Sequence, residues 1–308
     1  MSARPADRTG LAILLSLLAI LLFDLMGLVI KHLSPYYSAA ELSAYRNTVG
    51  LIPSVIALWL TPAWHAGGRR LRIRQWKLAG ARGLIVSVAQ LCFYYALGTL
   101  AFATAATISY SNAMFMTALA VPILGEKVGA LRWSAVLIGF VGVVLIMGPG
   151  RETFSAAAIA PLGAALFYAL TGVMARRLDP DVPSALANLY SSGVALVSSV
   201  LLALVAGGFS GLRTGEDLLW ILAMGGFGGL AVLCMVVAYR MTEQSNLAPF
   251  AYFGIPTAFV LGWLFFNEAP WSDLFPGALL IVLGGLIVIW REQRQRRAAR
   301  ISASAPPA

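Results

Sequence analysis

Charge is scarce in this chain. Asp, Glu, Lys and Arg make up 11% of 308 residues, and only 13 residues are acidic. Soluble domains carry about 25% charged residues, so a water-facing surface over most of the chain is excluded. Histidine occurs only at His32 and His65, and cysteine only at Cys92 and Cys234. Two thiols inside apolar runs provide neither a disulfide framework nor a Cys/His metal cluster. His32 and His65 fall in gaps on opposite sides of the membrane predicted below, so no Ser–His dyad can form at depth. No HExxH and no GxxxxGK[ST] phosphate loop is present. Metal-dependent and nucleophilic catalysis, and ATP-driven pumping by this chain alone, therefore lack their parts. The expectation is a non-enzyme without metal or cofactor.

What the chain has is apolar length: 59% of its residues are hydrophobic. Ten stretches stand out, at 11–30, 42–60, 78–97, 101–124, 133–149, 155–175, 184–206, 218–239, 245–266 and 274–290. Each approaches the roughly 20 residues that a helix needs to cross a bilayer. Runs this long and continuous are not barrel strands, and backbone groups in lipid must be paired internally. The expected fold class is an all-α integral membrane protein of ten transmembrane helices. The longest gap, 61–77, is too short for a soluble domain. The first stretch is too long, and lacks the cleavage site, for a secretory signal, so it reads as helix 1.

The basic residues fall in alternate gaps. One set holds Arg4 and Arg8, then Arg69, Arg70, Arg72, Arg74 and Lys77, then Lys127 and Arg132, Arg176 and Arg177, Arg240, and the tail from Arg291 to Arg300. The opposite set holds only Lys31, Arg46, Arg151 and Arg213, with Arg82 just inside helix 3. Retained loops carry the Lys/Arg excess, which predicts both termini in the cytoplasm. The net charge of +9 is then a topology signal, and no nucleic-acid partner is expected.

One constant shift along the chain lays the second half on the first. Cys92 falls on Cys234, Ala106 on Ala248, Tyr110 on Tyr252, Glu126 on Glu268 and Gly142 on Gly284. Each half has a helix pair joined by a tight turn, a helix ending in an acidic turn, and a Gly-rich closing helix. Five helices is an odd number, so the copies are expected to be inverted, a common transporter construction with the substrate site where the halves meet. The expected repeats are 1–150 and 151–308.

Several local signatures accompany this layout. Helix 1 ends Leu22-Phe23-Asp24-Leu25-Met26-Gly27 before Lys31, and helix 2 has Ala44-Tyr45-Arg46-Asn47. Helices 3 and 4 contain Phe93-Tyr94-Tyr95-Ala96-Leu97 and Ala103-Thr104-Ala105-Ala106. Helix 4 closes Pro122-Ile123-Leu124-Gly125-Glu126-Lys127, and Leu247-Ala248-Pro249 and Pro256 precede Asn267-Glu268. On these residues the chain resembles the drug/metabolite transporter superfamily, EamA-type, over about residues 11–290. The resemblance implies helices 1–4 and 6–9 around a central cavity, with helices 5 and 10 peripheral. It further implies a multi-pass protein of a bacterial inner membrane that works as a monomer and moves a small molecule. The bacterial members of this length include amino-acid exporters, some favouring aromatic ones. Met114 stands where Pro256 stands in the second half, which predicts a less bent helix 4.

Polar side chains inside spans are costly and usually face the bundle interior. The candidate substrate-binding residues are Tyr94 and Tyr95 on helix 3, Ser109, Tyr110 and Asn112 on helix 4, Tyr168 on helix 6 and Tyr252 on helix 9. Tyrosines converging on a cavity would stack on flat or cationic ligands. The plainer alternatives are backbone bonding by Ser and Thr and an interfacial aromatic belt. Asp24 is the acid inside a span, with Arg46 as its expected partner; a structural pair and a coupling role both remain open. Pro249 and Pro256 are candidate hinges in helix 9. Gly225, Gly226, Gly228 and Gly229 either loosen helix 8 or pack it closely. The function expected from these residues and the resemblance is a secondary transporter working by alternating access, first of all an amino-acid exporter. A vitamin importer and a proton-coupled exporter of cationic drugs are the alternatives within transporters. A channel is disfavoured because the polar residues form no continuous ring.

Overall fold

The computed structural model describes residues 9–69, 71–126, 128–148, 156–179, 182–242 and 247–304. Helix accounts for 82% of it, and no strand occurs among the described residues. We number the long helices α1 (Thr9–Leu33), α2 (Ala39–Trp59), α3 (Trp76–Thr99), α4 (Phe102–Ser109 and Asn112–Leu124) and α5 (Ala130–Met147). The second half has α6 (Ile159–Ala175), α7 (Ser184–Val205), α8 (Gly215–Met241), α9 (a tight turn at Ala248–Phe253, then Gly254–Phe266) and α10 (Gly277–Ser304).

Local chemistry explains where these helices begin and end. Ser38 and Glu41 form a capping box: Ser38 Oγ accepts from the Glu41 amide at 3.3 Å, and Glu41 Oε2 accepts from the Ser38 amide at 2.7 Å. α4 stops at Gly125 and α9 at Asn267, both left-handed, with φ of 70° and 55°. These caps occupy matching positions of the two halves, and each is followed by the glutamate that the acidic-turn pattern singled out.

Among the described residues seven helices are long and apolar enough to cross a membrane, fewer than the ten expected from the sequence. α2 is missing from the seven because it carries Glu41, Arg46 and Asn47 within its length. α5 and α10 contribute shorter apolar segments, Trp133–Met147 and Gly277–Arg291. α4 also departs from expectation. It is interrupted at Tyr110–Ser111 without any proline there, one turn before Met114, so the missing proline does not keep it straight.

Helix packing relies on small residues, as it must where lipid removes the hydrophobic driving force between helices. Ala12, Ala79, Ala96, Ala135, Ala164 and Ala238 are wholly buried at helix contacts. α1 packs on α8, α2 on α7 and α8, α3 on α6 and α7, and α5 on α10. Glycines set the closest approaches, and these recur under the same shift. Gly83 lies against Ser191, and Gly225 against Val49. Gly142 lies against the Gly277 carbonyl, and Gly284 against the Ala135 carbonyl. In both cases each glycine and its partner exchange halves. α8 itself runs unbroken through Gly225, Gly226, Gly228 and Gly229. Three of them receive side chains from neighbouring helices: Gly225 takes Val49, Gly229 takes Pro53, and Gly228 takes Met26 and Arg46.

The two ends of the bundle differ. At the Lys31 end, Val29, Ile30, Leu33, Leu42, Leu97 and Phe102 form a closed apolar plug. Tyr37 in the α1–α2 turn donates to Asp217 Oδ2 at 2.7 Å; burial first, and then that carboxylate, hold its phenol above the ordinary range. At the opposite, Trp59 end, Leu58, Trp64, Ile73, Ala79 and Leu186 cluster around the starts of α3 and α7.

Candidate functional site: a central cavity

A cavity of about 460 Å³ lies among α1, α2, α3, α4, α6, α7 and α8. Its lining runs from Asp24, Arg46 and Tyr94 in the middle of the bundle to Ser54, Arg82, Thr171 and Asn188 toward the Trp59 end. The plug of Leu33, Leu97 and Phe102 closes it from the Lys31 end. Among the described residues α5 and α10 contribute nothing to the lining. α9, expected among the lining helices, gives no lining residue among those described; its Thr257 donates to the lining residue Asp24.

Of the residues singled out from sequence, Tyr94, Ser109, Tyr110, Asn112 and Tyr168 line this cavity, as do Asp24 and Arg46. Tyr95 does not: it is 53% exposed. Neighbouring residues on a helix point about 100° apart, so Tyr94 facing inward turns Tyr95 outward. Tyr252 stands one layer behind the wall. Its ring centre is 6.1 Å from that of Tyr110, and its hydroxyl packs against Gly285 of α10 without a hydrogen-bond partner. Pro249 lies in the tight turn that opens α9, and Pro256 falls within the first turn of the helix that follows.

The expected Asp24–Arg46 pair is not formed. Asp24 accepts a hydrogen bond from Thr257 Oγ1 on α9, because its face of α1 turns toward that helix. Arg46 instead lies across Gly228 of α8, and its Nη1 donates to Asn47 Oδ1 at 3.1 Å. Its Nε is buried without a hydrogen-bond partner. Arg82 donates to the Thr171 carbonyl at 3.3 Å. Among the described residues neither arginine forms an ion pair.

A polar network backs the cavity wall. Asn47 Nδ2 donates to Gln90 Oε1 at 2.9 Å, and Gln90 Nε2 donates back to Asn47 Oδ1 at 3.2 Å. Ser43 donates to the same Gln90 oxygen, and Ser199 accepts from Asn47. This reciprocal amide pair ties α2 to α3 and α7 and keeps buried polar groups satisfied. Phe23, Phe93 and Asn47 are cavity residues that entered the sequence reading only as parts of motifs. The available signal for Asn47 is spacing: Ser43, Asn47 and Ser54 share one face of α2 at intervals of four and seven.

Among the described residues two ion pairs lie outside the cavity. Lys31 Nζ meets Glu268 Oε1 at 3.0 Å at one end, and Arg176 meets Glu126 at the other. The two glutamates are the ones that coincide when the halves are superposed in sequence.

Comparison with known proteins agrees with this architecture. The EamA-like transporter family matches residues 10–148 and again 155–290. The riboflavin transporter of Vibrio cholerae is 33% identical over 183 residues, which span 58% of this chain and 60% of that protein's length. The S-adenosylmethionine uptake transporter of Rickettsia bellii is 25% identical over 284 residues, 91% of this chain and 93% of its own. Human solute carrier family 35 member G1 is 28% identical over 305 residues, 93% and 82% of the two chains. A solved crystal structure shares the fold at a TM-score of 0.63 and 20% identity, over 92% of this chain and 98% of its own. The bacterial relatives named here carry riboflavin and S-adenosylmethionine in their names rather than amino acids. With one family matched over each half of a helical chain built around a central cavity, this multi-pass membrane protein belongs to the EamA-like transporter family.

Proposed function

We propose that this chain carries a flat, vitamin-like heteroaromatic metabolite of the riboflavin class into the cytoplasm, in place of the amino-acid export first expected. The observation that carries this reading is the cavity lining. Rings of Phe23, Phe93, Tyr94, Tyr110 and Tyr168 come from four helices, with the Asn47, Gln90 and Asn188 amides beside them. Aromatic faces stack planar ligands, and amides bond their heteroatom edges. A volume of about 460 Å³ lies within the range of small-molecule sites, about 300–1,000 Å³. The riboflavin transporter of V. cholerae supports the same ligand class.

The transport cycle follows from the architecture proposed here. Ten spans form two inverted five-helix repeats, 1–150 and 151–308, in a bacterial inner membrane with both termini cytoplasmic. The Trp59 end then faces the cytoplasm, and the cavity is in its inward-facing state. Exchange of contacts between the repeats would close that end and open the Lys31 end, with Pro249 and Pro256 absorbing bending in α9. A single chain encloses the whole cavity, which supports function as a monomer.

S-adenosylmethionine is the second reading. It is favoured by the nearly full-length match to the R. bellii protein and by Asp24, a cavity acid with no cation paired to it among the described residues. The deciding measurement is flux into liposomes containing the purified protein, with riboflavin, S-adenosylmethionine and phenylalanine supplied separately. Saturable riboflavin flux is expected, and Tyr168→Ala should raise KM roughly tenfold or more by removing a stacking face. Phenylalanine flux without riboflavin flux would overturn the proposal.

Asp24 is the group proposed to couple transport to protons. It faces the cavity with Thr257 on α9 and Tyr110 on α4 around it, and Arg46 is held away across Gly228. Asp24→Asn keeps an acceptor for Thr257 while removing the charge. Its flux is expected to lose its response to an imposed inward proton gradient and to retain facilitated exchange. An unchanged response in that variant would rule Asp24 out as the coupling site.

A further inference from the structure

The cavity's charges are unbalanced. Arg46 and Arg82 both line it, and neither forms an ion pair among the described residues. The one lining acid, Asp24, is engaged by Thr257 on the wall facing α9. Arg46 is the more telling of the two. An arginine near the middle of a membrane protein is costly unless something answers its charge. Among the described residues its side chain bonds to the neutral Asn47 amide, and its buried Nε has no partner.

The fold also makes room for this guanidinium. A Cβ added at Gly228 would stand 3.4 Å from Arg46 Nε and 3.6 Å from Nη2; one added at Gly50 would stand 3.7 Å from Nη1. Two helices thus present bare backbone beside the same group. A slot of this kind holds the planar fork in one orientation, and a fixed fork matches carboxylate or phosphate through paired N–H donors. Arg46, Tyr94 and Tyr168 line the same cavity, so the cation and the aromatic faces share one ligand space. Arg82 lies nearer the Trp59 end, early in α3, where an entering anion meets it first.

We propose that Arg46 is the anion anchor of this cavity: the preferred ligand is a planar heteroaromatic that carries a negatively charged oxygen group, and cations are disfavoured. This deepens the heteroaromatic reading above, rests on it, and decides against S-adenosylmethionine, whose sulfonium and ammonium add positive charge to a positive cavity.

The test uses ligands matched in shape and different in charge. Equilibrium binding to the purified full chain is measured for riboflavin, riboflavin 5′-phosphate and S-adenosylmethionine, and for nicotinate against its neutral amide. The phosphate is expected to bind several-fold more tightly than riboflavin. Arg46→Gln should weaken the phosphate roughly 10–100-fold, as loss of charge-assisted bonds does, and riboflavin much less. Arg46→Lys, which keeps the charge without the fork, should fall between them and controls for folding, together with thermal melting of each variant. Riboflavin binding without any gain from the phosphate, or a phosphate affinity indifferent to Arg46→Gln in folded protein, would overturn the anchor while leaving the riboflavin reading intact. Failure of both flavins would instead remove the riboflavin reading. Nicotinate preferred over its amide, with the preference lost in Arg46→Gln, would then still support the anchor, and absence of that preference would end it.

Discussion

Replacing Lys31 by alanine is expected to open the Lys31 end of the bundle and to lower substrate flux roughly tenfold or more. Lys31 holds several helices at once. Its Nζ pairs with Glu268 at 3.0 Å, donates to the Leu100 carbonyl at 2.6 Å and the Leu97 carbonyl at 3.3 Å, and lies 5.3 Å from the centre of the Phe266 ring. Glu268 in turn accepts from the Phe102 amide at 2.8 Å, at the start of α4. One ammonium and one carboxylate thereby fasten α1, the α3–α4 turn and α9 above the apolar plug. Removing one partner of a buried pair costs about 3–5 kcal/mol, and an exposed pair contributes under about 1 kcal/mol. With side chains 12% and 28% exposed, an intermediate value of about 2 kcal/mol is appropriate. That would shift an open–closed equilibrium roughly 30-fold, enough to strand the alternating-access cycle proposed above in one state. The readout is thiol labelling of Leu97→Cys in a background with Cys92→Ser and Cys234→Ser. Leu97 is wholly buried in the closed end; labelling should rise sharply in Lys31→Ala and return toward the parent in the charge-swapped pair Lys31→Glu, Glu268→Lys. Labelling unchanged by Lys31→Ala would mean that the apolar plug alone keeps this end shut.

This latch is partly visible in the amino-acid sequence and partly not, and the boundary is physical. The acidic turns after helices 4 and 9 can be read because a left-handed cap followed by glutamate is a local pattern. Their partners cannot, because Lys31 and Arg176 are brought to them by helix packing that no local pattern encodes. The same division runs through the cavity. Tyr94, Tyr110 and Tyr168 are legible because polar aromatics deep in a span have few other places to point. Tyr95 is misplaced by sequence because two adjacent aromatics on one helix cannot both face inward, and nothing local says which one does. Asp24 and Arg46 fall at similar depths of their predicted spans, which is why the sequence suggests a pair. The rotation of α1 toward α9 and the slot at Gly228 separate them. The break in α4 at Tyr110–Ser111 carries no proline and so leaves no mark in the sequence. α2 reads as a span by periodicity and length yet falls short in hydropathy, because the residues that serve the cavity are the same ones that make it polar.

Glycine is where a small change is expected to do the most damage to the fold. Gly225→Ala and Gly83→Ala should each sharply lower the melting temperature of the purified protein, and leucine at either position should leave no folded material. A Cβ at Gly225 would lie 2.3 Å from Val49 Cβ, and one at Gly83 would lie 2.4 Å from the Ser191 carbonyl oxygen and 2.8 Å from Val194 Cβ. Neither obstacle is the tip of a flexible side chain that could swing away, so the helices themselves must part. Overpacking typically costs about 1–3 kcal/mol, and transmembrane helices have little besides such close contact to hold them together. Gly226 is the internal control. It is the next residue on the same helix, with nothing within 4 Å of its added Cβ, and alanine there should be neutral or stabilising by up to about 1 kcal/mol through helix propensity. If Gly225→Ala and Gly226→Ala melted alike, the close α2–α8 contact would not be what holds the bundle together. The pairing of Gly83 with Gly225 adds a second expectation. The two sites occupy equivalent positions of the two halves and bear on α7 and α2 in the same way. Their losses should therefore be similar in size, and an inverted duplication accounts for that equality where a chance resemblance would not.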